Sequence, residues 1–581
     1  MVNAAPIRIE SVRIQHFRGI IDLNVELEPD LTILVGQNNA GKSRVLRAIG
    51  IATGALSPDR DDFTVDVDAE PVIDTVLAPA TGETFDPAIA RRLLNVQPGP
   101  SSSDAERFAW RTTIFRTREG FGSRSETAVL AYNTSANQWE PAVPTTSLSG
   151  VQRSLVVGDY VGTGRDLVDD FARRGSAIRR ILDDLEVDED SREALEVRLG
   201  DLSKDIIGSS AALDAVTRSL QALSQSVGSV GSAEIKPLPL RLEELSRSVV
   251  VDLDTGAGAL PLRVHGAGSR SMTSIQLQSV LYDRRVGSDG GALRPHAVSL
   301  LEEPEAHLHP QGQVQLSEVL HSLPGQAVVS THSSHLVSTV EPRSLRMFRW
   351  KSTGVSLVNL RPAEDALDAD TPRMLRPALY REEMEKLRRQ IERPFGELLF
   401  ASCVVLGDGA TERALLPVIL RHCLGLQADR VAVIDAGSMN SPMATAVVKF
   451  AEATGLPWHL FADDDEAGRR DATRLDATFG SGDQSHITWV FGATEDDGAT
   501  ERMLFDFDSD ACMTAATQFG YEGAEDQLLK YMAKHKGVLG AALGRELTRK
   551  YPDQEKIRSG TDYWPQPLVE LVSAVRTKLE L

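Results

Sequence analysis

Two groups of residues in this chain have the types and spacing to do chemistry. The first begins with Gly36-Gln37-Asn38-Asn39-Ala40-Gly41-Lys42-Ser43, which fits the pattern GxxxxGK[ST] in full. Glycines let backbone N–H groups turn inward around phosphates, a lysine supplies positive charge to the β/γ-phosphates, and the serine hydroxyl can hold Mg²⁺. A helix N-terminus directly after the loop adds its dipole. Gly36, Asn38, Asn39, Gly41, Lys42 and Ser43 are therefore the candidates for holding a nucleoside triphosphate. The same chemistry needs carboxylates, and Leu300-Leu301-Glu302-Glu303-Pro304-Glu305 brings two to the end of an apolar run. Glu302 is placed to reach Mg²⁺ through water and Glu303 to polarise an attacking water. A third apolar run, Ala327–Ser330, leads into Thr331-His332-Ser333. His332 thus stands at another strand end, suited to a γ-phosphate contact, where ligands bind in open α/β sheets.

The second group is acidic. Val404-Val405-Leu406-Gly407-Asp408-Gly409-Ala410-Thr411-Glu412 reads as a strand, an acid, a glycine turn and a glutamate in the first helical turn. Further on, Leu460-Phe461-Ala462-Asp463-Asp464-Asp465-Glu466 places Asp463 and Asp465 two residues apart at a strand end, on one side of it. Hard carboxylate oxygens suit Mg²⁺ or Mn²⁺. A run of acids alone is usually solvated. Two such turns in one domain favour a bound cation, since so acidic a patch would otherwise repel itself and any phosphate.

The elements that must position these residues follow from hydrophobic patterning. Ile7, Ile9, Val12 and Ile14 mark an amphipathic strand, and Leu31–Val35 one covered on both faces, running into a helix from near Lys42. Residues 55–150 give no clear assignment. From 160 to 227, apolar residues recur every three or four positions (Leu195, Leu199, Leu202, Ile206; Leu213, Val216, Leu220, Leu223, Val227). That predicts a helical hairpin, either packed on its own domain or serving as a dimerisation arm. Residues 362–375 read as a linker and Tyr380–Arg393 as a charged helix. Apolar runs at 404–406, 431–434, 460–461 and 489–491 alternate with helical stretches, which predicts a small parallel α/β domain. The expected divisions are 1–158 and 231–362 for a nucleotide-binding unit, 159–230 for its helical insertion, 363–395 for linker and charged helix, and 396–581 for the acidic domain.

Composition narrows the function classes. Apolar residues make up 41% and charged residues 25%, as in ordinary globular proteins. Three cysteines without a CxxC pair exclude a disulfide framework and argue against structural zinc, and fit a reducing, cytoplasmic setting. No secretory signal and no run of about 18 apolar residues is present, so no membrane partner is expected. The net charge of −21 disfavours sequence-blind adhesion to nucleic acid. DNA binding would need bound metal or a local basic patch, and residues 530–558 hold eight Lys/Arg against three Asp/Glu.

The nucleotide motifs resemble those of the ATPase heads of the structural-maintenance-of-chromosomes, Rad50 and RecF group, and Phe17-Arg18-Gly19 resembles their early FR motif. That resemblance implies an Arg18 contact near the nucleotide. It also implies a signature loop before the paired glutamates, here Gly266-Ala267-Gly268-Ser269-Arg270-Ser271, with Ser269 in the partner's ATP site, and two heads sandwiching ATP. The acidic turns resemble the Toprim domain. A head followed by Toprim is similar to the overcoming-lysogenisation-defect (OLD) nuclease family, which includes the nuclease subunit of the Gabija anti-phage system. The implied fold is α/β: an ABC/SMC-like P-loop ATPase head with an inserted helical hairpin, followed by a Toprim parallel α/β domain.

The resemblance implies metal ligands at Asp408, Glu412, Asp463 and Asp465. It also implies a later acid, best matched by Glu501 with Glu495 as rival, and a lysine, Lys536 before Lys534. The family's first glutamate is Asp408 here, one methylene shorter. The implied activity is an ATP-regulated, divalent-metal-dependent DNA endonuclease in anti-phage defence. Asp463, Asp465, Lys536 and Glu303 would be catalytic, with two Mg²⁺ or Mn²⁺ per Toprim site and ATP with Mg²⁺ in the head. The implied partners are DNA, a second copy of the chain joined through heads and helical arm, and a helicase or other defence-system protein. The main rival is an ATP-driven, RecF-like DNA-binding or repair protein with a degenerate Toprim domain. A primase would want a zinc module, and a topoisomerase a nucleophilic tyrosine among Tyr531, Tyr551 and Tyr563.

Overall fold

The computed structural model describes residues 6–162 with short breaks (66, 95, 99–104, 118–122 and 137), 189–209, 252–254, 259–261 and part of 268–276. It further describes 295–360 without 307 and 352–353, then 398–490, 499–552 and 564–580. The linker and charged helix expected over 362–393 lie outside the described residues, as do Ser269, Glu495 and the second half of the expected hairpin.

The N-terminal half is two sheets around helix Lys42–Ala52. The first is antiparallel and built from β1 (Ile7–Phe17), β2 (Ile20–Glu26), β4 (Val72–Pro79), β6 (Glu106–Arg116), β7 (Ser123–Asn133) and β8 (Gln138–Pro141), in the order β2-β1-β4-β6-β7-β8 with the short β5 (Gln97–Pro98) on β6. The second runs β15-β14-β3-β13-β12-β9, from β3 (Leu31–Gly36), β9 (Val156–Val161), β12 (His296–Glu302), β13 (Gln326–Ser330), β14 (Leu345–Lys351) and β15 (Gly354–Asn359). All its pairs are parallel except β14 with β15. β3, β12 and β13 are buried along nearly their whole length, as parallel strands covered on both faces must be. A small hairpin joins β10 (Asp252–Asp254) to β11 (Ala259–Pro261). Helix Glu189–Ser209 carries the first half of the expected stripe, with Leu195 and Leu202 exposed.

The C-terminal domain has a parallel sheet in the order β17-β16-β18-β19, from β16 (Cys403–Gly407), β17 (Val431–Asp435), β18 (Trp458–Asp463) and β19 (Ile487–Val490). The central β16 ends at Gly407 and β18 at Asp463, so both acidic turns leave the same sheet edge. One apolar cluster runs from the head (Leu31, Ile33, Val329, Met347) through Leu398 and Leu399 into this sheet (Val404, Leu406, Leu460). The two halves therefore share a core. None of the described helices is long and apolar enough to cross a membrane.

Candidate functional sites

The phosphate loop is shaped by its two motif glycines. Gly36 has φ +139° and Gly41 φ +106°, a region that side chains rarely tolerate. A Cβ at Gly36 would also lie 2.3 Å from the Phe348 carbonyl oxygen. Lys42 is only 5% exposed, and its Nζ donates to the carbonyls of Gly36 and Gln37, each at 2.8 Å. Burial pushes its pKa down to about 8, although Glu303 and Glu305 oppose the shift.

A 420 Å³ pocket opens over this loop, lined by Asn38, Asn39, Gly41, Lys42, Ser43, Arg44, Glu303 and His332. Strand register explains the convergence: β12 pairs with β13, and β13 with β3, so all three deliver their last residues to one edge. Glu303 sits just past β12 with φ +44°, its N–H bonded to the Ser330 carbonyl at 2.9 Å. Left-handed backbone at a non-glycine residue costs energy and clusters at functional sites. His332 Nε2 lies 3.8 Å from Glu303 Oε1. Burial, then Lys42, pulls the His332 pKa down, and Glu303 opposes. The buried Glu305 accepts the His332 N–H at 2.7 Å, and burial raises its pKa. Glu302 accepts a 2.5 Å hydrogen bond from the Tyr160 hydroxyl, and burial, then Glu302, raises the phenol's pKa.

Sequence reasoning missed Tyr160 and Arg44. Tyr160 is a strand residue 142 positions from Glu302, and nothing local marks it. Arg44 directly follows the motif and was the more legible of the two. Arg18 is bound elsewhere: its Nε donates to Asp62 at 2.7 Å, and Asp59 and Arg47 join the cluster. Its turn still borders the pocket, because a Cβ on Gly19 would meet Arg44 at 3.1 Å.

The acidic site gathers residues from across the C-terminal domain. Asp408 follows β16 and accepts the N–H of Met439 through Oδ1 and of Asp463 through Oδ2, both at 3.0 Å. It thereby ties the ends of three strands. Burial raises its pKa, and these two bonds oppose the shift. Glu412, in the first turn of helix Ala410–Leu424, is buried, and burial again raises its pKa. Glu501, in the first turn of helix Thr500–Phe507, is buried too and accepts the Thr411 hydroxyl.

Asp463 is strongly perturbed. Its pKa is pushed up to about 8 by burial first, then by Glu412, Asp408 and Glu501. Its Oδ1 is buried with no hydrogen-bond partner, an expensive state for a carboxylate. Asp464 pairs with Arg469, whereas Asp465 caps helix Glu466–Phe479 through the Gly468 N–H at 2.6 Å. Lys536 Nζ stands 3.5 Å from Glu501 Oε1. Helix Lys536–Lys550 reaches this position by close packing: a Cβ on Gly540 would lie 2.7 Å from the Thr411 carbonyl, and one on Gly544 3.0 Å from Val418.

The structure thus brings Asp408, Glu412, Asp463, Glu501 and Lys536 to one place, with Asp465 on the adjoining cap. Among the described residues, no three His, Cys, Asp or Glu side chains stand together as a ready grip on one ion. The donor set is nonetheless the hard-oxygen set that Mg²⁺ and Mn²⁺ take, and the orphaned Asp463 oxygen is what a cation would satisfy. Thr411 and Thr500, both buried beside these carboxylates, were not singled out from the sequence.

Residues 8–76 and 177–337 match the AAA ATPase domain family. Residues 399–465 match the TOPRIM domain of overcoming lysogenization defect protein-like proteins. Protein YbjD of Escherichia coli K12 is 29% identical over 178 residues, 30% of this chain and 29% of that protein, so the match spans less than a third of the relative. The OLD nuclease of Thermus scotoductus is 22% identical over 472 residues, 79% of this chain and 82% of its own. Among solved structures, an SMC head bound to the C-terminal winged-helix domain of ScpA aligns over 62% of this chain and 99% of that one, at TM-score 0.36 and 14% identity. The chain thus joins an AAA ATPase domain match to an OLD-like TOPRIM domain match, and it is similar over most of its length to the OLD nuclease of Thermus scotoductus.

Proposed function

We propose that the protein is an ATP-regulated, divalent-metal-dependent DNA endonuclease acting in defence against phage or other foreign DNA. The observation that carries this reading is the half-buried Asp463, whose buried Oδ1 has no hydrogen-bond partner and which stands among Glu412, Asp408 and Glu501. Asp408, Glu412, Asp463, Asp465 and Glu501 would hold Mg²⁺ or Mn²⁺, which supplies an activated water and charge neutralisation for phosphodiester hydrolysis. The chain's own groups do the rest. Thr411 orients Glu501, and the Met439 and Asp463 N–H groups orient Asp408. Lys536 places a positive charge beside Glu501, where it can balance charge on a bound phosphate. Exposed lysines of the basic stretch, such as Lys530 and Lys534, offer the backbone contacts that an acidic protein needs to hold DNA.

In the head, Lys42 and the loop N–H groups bind the triphosphate, Tyr160 orients Glu302, and His332 lies within reach of Glu303. The Thermus scotoductus relative is named as a nuclease, which supports the same reading here. A second reading, an ATP-driven DNA-binding or repair protein with a degenerate TOPRIM domain, draws on Asp408. Its two oxygens both serve backbone N–H groups, as a structural brace would. The test is supercoiled and linear DNA with Mg²⁺ or Mn²⁺, with and without ATP. Metal-dependent cleavage whose rate changes with ATP is the expected result. No cleavage by clean, folded protein under any of these conditions leaves the second reading.

A further inference from the structure

The two sites lie in different halves of the chain, yet three consecutive residues ahead of β16 are each held by the head. Gln37, in the phosphate loop, donates its side-chain amide to the Ser402 hydroxyl. Arg349 on β14 donates to the Ala401 carbonyl at 3.3 Å and to the Thr454 carbonyl at 3.5 Å. The Phe400 ring lies 6.1 Å, centroid to centroid, from the His332 ring. From the C-terminal domain, Arg430 Nε donates to the same Ser402 oxygen at 2.9 Å, and the Arg430 carbonyl accepts the Ser402 N–H at 2.7 Å. Ser402 is 8% exposed. One buried hydroxyl therefore accepts from both halves of the molecule.

A cleft of 590 Å³ opens beside this joint, lined by Gln37, Asn38, His332, Phe400 and Arg430 among others. It shares Asn38 and His332 with the phosphate pocket. We propose that the Gln37–Ser402–Arg430 joint is the element through which a nucleoside triphosphate in the head sets the activity of the acidic site. This deepens the regulation of that site and rests on its reading as a nuclease.

Lys42 is the link between a bound triphosphate and the joint. An ammonium has three N–H donors, and two of them go to the Gly36 and Gln37 carbonyls. Phosphate oxygens make charge-assisted bonds roughly twice as strong as neutral ones, so a triphosphate competes for the donor that fixes the Gln37 backbone. The side chain of that residue is the one on Ser402. Ser402 directly precedes β16, the strand hydrogen-bonded on both sides by β17 and β18, and the far end of β16 carries Asp408. A paired central strand transmits a displacement instead of absorbing it, and packed interfaces respond by switching between discrete arrangements.

The experiment uses the full-length chain and its Ser402→Ala variant. That change removes one hydroxyl and leaves Gln37 and Arg430 without their shared acceptor. Three quantities are compared: ATP affinity, DNA cleavage without nucleotide, and the ratio of cleavage rates with and without ATP. Affinity and nucleotide-free cleavage should stay within about threefold of the parent, because the two hydrogen bonds lost, from Gln37 and Arg430, touch neither Lys42 nor the acidic carboxylates. The ratio should move toward one by about fivefold or more, the lower range of an ordinary coupling. Exposed Arg430→Ala, which cannot disturb the core, should shift the ratio in the same direction, and Ser402→Thr should retain it.

Hydrogen exchange of residues 398–408, with and without a slowly hydrolysed ATP analogue, is the second readout and does not require cleavage. The analogue should change exchange there in the parent and not in Ser402→Ala. An unchanged ratio, or an equal exchange response in both proteins, overturns the joint. A parent that cleaves no DNA overturns the nuclease reading instead, and the exchange result then judges the joint alone.

Discussion

The phosphate pocket and the acidic site solve the same problem, controlling phosphate chemistry, with opposite raw material. The pocket centres on one contiguous loop, with Glu303 and His332 added from two neighbouring strand ends, and a buried cation, Lys42, is held by carbonyls of its own loop. The acidic site is built from strand and helix ends drawn from residues 408 to 536, and its charges repel one another until something positive joins them. The first has its phosphate-facing backbone in one short segment. The second depends on the whole C-terminal domain being folded, and a cation would relieve its mutual repulsion. Variants should therefore separate the two sites cleanly, and the largest effects should come where a single carboxylate has no substitute.

Asp463→Ala is expected to have the largest effect. It should cut DNA cleavage well beyond the roughly 10–100-fold that loss of an outer partner costs at a metal site, while ATP hydrolysis stays near the parent rate. Undiminished cleavage by this variant would end the comparison, because the acidic site would then not be the reactive one. Glu303→Gln is the matching change in the head. Steady-state phosphate release should fall by about 10²-fold or more, the range for a lost general base, with ATP still bound. Hydrolysis at the parent rate would move the role to Glu302 or Glu305.

Lys42→Ala should weaken ATP binding by at least about tenfold, equivalent to 1.4 kcal/mol, and leave metal-dependent nicking intact in some nucleotide condition. Loss of cleavage in every condition by a folded protein would contradict the separation. The smallest effect is expected from Tyr160→Phe. It removes one hydrogen bond to Glu302, worth about 0.5–1.5 kcal/mol, so the Mg²⁺ concentration giving half-maximal ATP hydrolysis should rise a few-fold with the fold unchanged. An identical Mg²⁺ dependence would reduce Tyr160 to packing.

How far the sequence reveals each site follows from the same contrast. Gly36 to Ser43 could be read directly because glycine, lysine and serine occupy adjacent positions whose geometry admits few other residues. Glu302, Glu303 and His332 were legible because each lies at or just past the end of a largely apolar run. Asp408, Glu412 and Asp463 were legible in part, since strand–acid–turn patterns mark them, but Glu501 and Lys536 rested on family resemblance. The position of Lys536 depends on helix packing at Gly540 and Gly544, and Glu501 opens a separate helix, Thr500–Phe507; no local pattern encodes either.

The antiparallel sheet over 72–141 escaped assignment for a different reason. β4 is buried almost throughout, whereas β7 is largely exposed or half-exposed over its first six residues. Neither shows the alternation that identifies a strand with one wet face. The contact of Gln37 with Ser402 spans 365 positions and was beyond any reading of the sequence.

The most direct test of the central claim, that the clustered carboxylates form a cation site independent of the nucleotide pocket, is Mn²⁺ binding. It can be measured by calorimetry on the full-length protein without DNA or ATP, comparing parent, Lys42→Ala and Asp463→Ala. The account predicts Mn²⁺ binding that Lys42→Ala retains and Asp463→Ala loses or weakens by more than about tenfold. Equal Mn²⁺ binding by parent and Asp463→Ala, or none by the parent, would contradict it.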